Sequence, residues 1–141
     1  MQHARFLRRT AIGAAVATLA TVLPPVAAQA AAVTSFSAYG WSGAMDGFSE
    51  GSFTWYNRTT YVSGDVYEGD FDGHVTVYFE AFANDTKVGP TEHRTATTYA
   101  GLHFGFTIGD TDRPGGINNI RVTVCNEPEH ICGSRRRFNK P

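Results

Sequence analysis

The sequence predicts an all-β domain: a single immunoglobulin-like β-sandwich of about six to seven antiparallel strands, with a small β-barrel as the alternative. Three observations predict it. After residue 33, apolar residues alternate with polar ones at period two, and no stretch carries a helical repeat. Clusters of Gly, Asn, Asp and Thr break the alternation at spacings of about ten to fifteen residues, the rhythm of short strands in a sandwich. Each run has one apolar face, which must be buried against a second sheet or against the same sheet rolled on itself.

The elements follow in order. Residues 34–41 supply a first strand. In Ser52–Asn57, Phe53 and Trp55 share one face while Thr54 and Tyr56 take the other. From Tyr61 to Tyr67, Val62, Gly64 and Val66 oppose Tyr61, Ser63, Asp65 and Tyr67. The run His74–Ala83 places Val75, Val77, Phe79, Ala81 and Ala83 against Thr76, Tyr78, Glu80 and Phe82. Thr91–Ala100 is threonine-rich and weakly patterned, so it reads as an edge strand or a long loop. Leu102, Phe104, Phe106 and Ile108 alternate with His103, Gly105 and Thr107; Ile120, Val122 and Val124 alternate with Arg121, Thr123 and Cys125. Breaks are expected at 58–60, 68–73, 84–90, 109–116 and 126–130.

Ahead of this pattern lies a different kind of segment. Arg5, Arg8 and Arg9 precede an uncharged run from Thr10 to Leu23, then Pro24-Pro25 and the small-residue stretch Ala27-Ala28-Gln29-Ala30. That layout is a secretory signal peptide, with cleavage expected after Ala30. Its apolar run of about fourteen residues falls short of the roughly twenty that span a bilayer. General secretion is the expected route, since Thr10-Ala11-Ile12 matches a twin-arginine signal only loosely. The domain is then 31–141, a single unit released to the cell exterior without a transmembrane segment and expected as a monomer.

Removal of the leader changes the electrostatics. The formal charge moves from −1 to −4, and because Arg135, Arg136, Arg137 and Lys140 crowd a short basic C-terminal tail, residues 31–134 carry −8. An acidic body excludes nucleic acid as the expected partner, since phosphate binding is driven by clustered Lys and Arg. The tail itself is expected to be solvated.

Export also decides how the cysteines read. Cys125 and Cys132 are an even pair, expected to form a disulfide that closes an eight-residue loop. The C-x6-C spacing is unlike the C-x2–4-C of structural zinc sites, so no metal and no cofactor is expected. Glu68-Gly-Asp70-Phe-Asp72-Gly73 puts acids at alternate positions as a calcium loop does, but the twelfth position is Phe79, a core residue, so an acidic hairpin turn is the favoured reading. A looser calcium site shared with Asp110 and Asp112 is the alternative. His74, His93, His103 and His130 are scattered one per segment, and no Gly-x-Ser-x-Gly elbow occurs, so no catalytic residue is assigned and an enzyme is not expected.

In the stretch Gly51-Ser-Phe-Thr-Trp-Tyr-Asn-Arg58 and in the closing Ile117-Asn-Asn-Ile-Arg-Val-Thr-Val-Cys125, the chain resembles small secreted β-sandwich proteins of Streptomyces-type actinobacteria. The resemblance spans most of residues 34–138 and rests on structural motifs. It implies a fold and a compartment but no activity.

Function is expected to be binding. Tyr56, Tyr61, Tyr67 and Tyr78 fall among polar neighbours on the side of their strands away from the aliphatic residues, the composition of a face that stacks on sugar rings or anchors a protein partner. The reading is a secreted, non-catalytic module for extracellular carbohydrate or cell-surface polymer, contacting it through those four tyrosines. The alternative is a secreted protease inhibitor or protein-interaction domain presenting the Cys125–Cys132 loop.

Overall fold

The computed structural model describes residues 31–69, 73–127 and 129–141, with the side chain of Met45 left out; the expected signal peptide, 1–30, lies outside the described residues. Among the described residues there are nine strand segments and no helix: β1 (Ala32–Gly40), β2 (Gly43–Trp55), β3 (Thr59–Tyr67), β4 (His74–Ala83), β5 (Thr86–Ala96), β6 (Leu102–Gly109), β7 (Asn119–Glu127), β8 (Ile131–Cys132) and β9 (Arg136–Asn139). All pairings are antiparallel. One sheet has the order β1-β2-β3-β6; the other runs β5-β4-β7, with β8 and β9 in tandem along the free edge of β7.

Consecutive strands change sheets between β3 and β4, so β3 pairs β6 while β4 pairs β7. This interlock is the Greek-key crossing of an immunoglobulin-like sandwich, with β3, β4, β6 and β7 in the positions of its B, C, E and F strands. The expected fold class is therefore present, with more strand segments than the six to seven expected. β8 and β9 behave as one edge strand broken by a bulge. Cys132 lies opposite Cys125 and Arg136 opposite Val122, so Gly133–Arg135 carries one residue more than the partner strand.

The alternation predicts most of the core, with two corrections: Leu102, at the start of β6, is exposed, and Phe82 is buried on the other face of β4 beneath the Arg121 guanidinium. Phe53, Trp55, Val62 and Val66 from the first sheet and Val75, Val77, Phe79, Ala81, Ile120, Val122 and Val124 from the second are all buried. Phe79 keys the two layers together: its ring meets Phe36 at 5.7 Å, Phe104 at 5.5 Å and Phe106 at 5.3 Å, each edge-on. Phe138 of β9 closes one side against Phe53 at 5.5 Å. At the opposite side Arg94 of edge strand β5 lays its guanidinium 4.1 Å above Phe106, so a charged residue guards the open rim of the core.

Two expectations about irregular segments need correction. Thr91–Ala96 is the second half of edge strand β5, one of the two expected readings, with 97–100 outside it; because β5 starts at Thr86, the expected break at 84–90 shrinks to the Asn84-Asp85 turn. The C-terminal basic segment contains a strand, β9, and three of its cations are engaged: Arg135 pairs with Glu80 at 2.9 Å, Arg137 with Asp85 at 3.8 Å, and Lys140 donates Nζ to the Tyr56 carbonyl oxygen at 2.7 Å.

The disulfide joins Cys125 to Cys132, placing the domain in an oxidising compartment. Replacing both cysteines by serine should lower stability by about 2.5 kcal/mol, the chain-entropy value for an eight-residue loop, measured by urea denaturation at equilibrium. Phe79→Ala should cost more, about 3–5 kcal/mol, because it opens a cavity between the sheets. An unchanged denaturation midpoint for Phe79→Ala would contradict the role given to that ring.

Candidate functional site

The four tyrosines expected to form one face do not meet. Tyr61 and Tyr67 project from the outer face of the β1-β2-β3-β6 sheet, and Tyr78 projects from the outer face of the other sheet, on the far side of the sandwich. Tyr56 sits in the β2–β3 turn beside a small hollow lined by Trp55, Asn57 and Lys140. Three of the four have local structural partners. Tyr61 lies across Gly105 of the neighbouring strand. Tyr67 stacks on Phe48 with ring centroids 4.7 Å apart. Tyr78 donates its hydroxyl to Glu127 Oε1 at 2.9 Å, and burial first, then the Glu127 carboxylate, holds its phenol above the ordinary value of 10.0.

A different set of aromatic residues is gathered at one corner. The Tyr67–Phe48 stack continues to Tyr39 on edge strand β1, whose ring lies 6.2 Å from that of Phe48. Register explains the row: Tyr39 is directly opposite Phe48, and Phe48 directly opposite Tyr67. Two residues beyond Tyr39, Trp41 stands at the apex of the β1–β2 turn, 74 % exposed. Gly40 pairs Gly43 across that turn, so Trp41 and Ser42 are its two central residues.

The turn is held from beneath. Between Gly43 and Phe48 the second strand bulges by four residues, and this bulge folds over the end of the core. Buried Asp46 accepts the Ser42 backbone N–H, tying the apex to the bulge. Gly47, at φ +92, packs where any side chain would collide with Val75. An indole so mounted cannot fold into the core, and it is kept in solvent by the hairpin itself.

The facing wall comes from the other sheet. Gly133 passes so close to Tyr39 and Gly40 that a Cβ there would overlap the Tyr39 carbonyl oxygen. Its backbone N–H donates to Val124 O at 2.9 Å, next to the Cys125–Cys132 bridge. The bulge that follows delivers Ser134 and Arg136 to the same corner. Tyr39, Gly40, Trp41, Gly43, Ser134 and Arg136 enclose an open groove of about 390 Å³. Sequence reasoning passed over Trp41 and Tyr39. The signal for Trp41 was its flanking Gly40 and Gly43, which mark a turn too tight to turn an indole inward.

The remaining expectations resolve as follows. The Cys125–Cys132 loop is a β-hairpin: Asn126 pairs Ile131 inside the bridge, and His130 at φ 53 pairs with Glu127 at 3.0 Å. Asp70 and Asp72 lie outside the described residues. A calcium site joining Glu68 to Asp110 and Asp112 is ruled out by topology, because Glu68 follows one end of β3 whereas Gly109 pairs Thr59 at its other end. That separation is about 27 Å along an eight-residue span. Asp110 instead accepts the Asp112 backbone N–H at 2.9 Å and shapes its own turn. Among the described residues, no three His, Cys, Asp or Glu side chains converge as metal ligands, and no helix is long and apolar enough to cross a membrane. A second open hollow, about 490 Å³, lies between Glu68, His74, Tyr99 and Glu127.

Compared with protein-family models, curated proteins and solved structures, the chain matches none.

Because the Tyr78 phenol stays neutral above the pH at which an unfolded tyrosine ionises, its contribution to stability is complete below about pH 10 and is lost as pH rises through the folded value. Alkaline absorbance titration should therefore show a late-ionising tyrosine component, and Tyr78→Phe should remove it.

Proposed function

We propose that the chain is exported and acts outside the cell as a non-catalytic binding module for extracellular carbohydrate, with the Trp41 groove as its contact surface. The observation that carries the reading is the exposed indole of Trp41, mounted on a turn anchored by Asp46 and flanked by Tyr39, which is itself 41 % exposed. Trp and Tyr are the side chains most often found at energetic centres of binding surfaces, because each offers a large rigid area with little rotamer entropy to lose. Sugar rings present apolar C–H faces that such rings cover, while groups such as Ser134 Oγ can bond hydroxyls at the rim.

The geometry also says which of the expected tyrosines fit this reading. Tyr67 joins it as the inner end of the Tyr39–Phe48–Tyr67 row. Tyr56, Tyr61 and Tyr78 do not line the groove. Phe48 and Tyr67 cover one another by stacking, so Trp41 and Tyr39 are the exposed aromatic side chains of this corner. The alternative, an inhibitor or protein-interaction domain displaying the Cys125–Cys132 loop, has less support. That loop is drawn into a hairpin in which Asn126 pairs Ile131 inside the bridge and Glu127 pairs His74 of β4.

Sedimentation with insoluble polysaccharides tests the reading. The mature domain should partition to at least one of chitin, cellulose and peptidoglycan, and Trp41→Ala should reduce the bound fraction about tenfold, the loss expected for one hot-spot aromatic. Since Trp41 is exposed, that variant should melt within a degree or two of the parent. Equal retention of parent and variant would remove the groove from the account.

A further inference from the structure

The groove holds a feature that a site for neutral sugar does not require. Of the three consecutive arginines, Arg135 is paired with Glu80 and Arg137 with Asp85, both on the outer face of the β5-β4-β7 sheet. Arg136, between them, points the other way by strand alternation and lines the groove beside Trp41 and Tyr39. Among the described residues it forms no ion pair and no side-chain hydrogen bond, and it is exposed. Among the described residues, no carboxylate lines this groove. In a domain whose body carries −8, that is a local departure from the prevailing charge.

Three side chains thus converge with distinct chemistries: an indole face, a phenol ring and a guanidinium with no internal partner. A guanidinium is planar and offers paired donors that match the two oxygens of a carboxylate or two oxygens of a phosphate. Resting on the carbohydrate reading above, we infer that the groove is a subsite for an anionic sugar, a pyranose bearing a carboxylate or phosphate group. The ring stacks on Trp41, the anion pairs with Arg136, and Ser134 contributes a hydroxyl at the rim. The acidic body makes capture of polyanions elsewhere on the surface unfavourable, so retention of such a ligand reports this corner. Strand register sets the arrangement: the one-residue bulge at Gly133–Arg135 shifts Arg136 opposite inward-facing Val122 and away from the face shared by its two neighbours.

The test is affinity electrophoresis of the mature, oxidised domain through gels containing polygalacturonate (carboxylate), a phosphomannan (phosphate) or neutral dextran and glucomannan. Retardation by one or both acidic polymers is expected, the pair separating carboxylate from phosphate as the source of the anion. Arg136→Ala should weaken it about tenfold, the loss expected for one charge-assisted, bidentate pair. Trp41→Ala should do the same, while Arg113→Ala, a half-buried cation on a loop outside the groove, should leave it unchanged. If neutral polymers retard the domain equally and only Trp41→Ala matters, the anionic inference is overturned and the binding-module reading stands. If Arg113→Ala and Arg136→Ala weaken binding alike, the retention is diffuse electrostatics and the inference is likewise overturned. No retardation in any gel overturns both.

Discussion

Everything in this domain depends on the contact that Phe79 makes across the sandwich. Two sheets of four strands have no covalent tie between them, because the single disulfide joins neighbouring strands within one sheet. What sets their spacing and register is the interdigitation of Phe79 with Phe36, Phe104 and Phe106, rings from β1 and β6 that have no sequence proximity to it. Edge-to-face packing of this kind has an angular preference that aliphatic contacts lack. It therefore fixes how one sheet is rotated over the other, and with that the position of every edge. The corner where β1 meets the β8–β9 bulge is a consequence of that placement.

Seen from the groove, the disulfide has a different role from that of a loop staple. Cys132 precedes Gly133, and Gly133 is the residue that touches the end of β1. By clamping β8 to β7 just before the bulge, the bridge determines where the bulge begins and hence where Ser134 and Arg136 emerge. The other wall is fixed independently by Asp46 beneath the turn. Each wall is thus secured at its root, and the residues that line the groove need contribute little to folding.

How much of this was legible in the sequence follows from the range of each signal. Period-two alternation is local and strong, so inward residues such as Val62, Phe79, Phe104 and Val122 were read correctly, while Leu102, at a strand end, was not. Which sheet a strand joins is not local. Tyr61 and Tyr78 are both outward residues on their own strands, yet the β3–β4 crossover sends them to opposite sides of the molecule. Only pairing information could have separated them. The basic segment misled for a related reason. Arg135-Arg136-Arg137 looks like a solvated tail by composition, but Phe138 opposite Ile120 belongs to the core side, and that one apolar residue draws the segment into the sheet. Trp41 was missed because it was read as the last residue of a first strand over 34–41, whereas that strand ends at Gly40 and Trp41 lies in the turn.

The four-residue bulge in β2 carries a longer-range implication. Pairing between β1 and β2 resumes at Tyr39 and Phe48 regardless of what lies between Gly43 and that point. The hairpin tip is in this sense insulated from the ladder, as the β8–β9 bulge insulates Ser134 and Arg136 on the opposite wall. Substitutions or small changes of length there alter the shape and chemistry of the groove while the register of the sandwich is preserved. Such an arrangement allows one scaffold to vary the groove by drift at two short segments, with selection on the core acting separately.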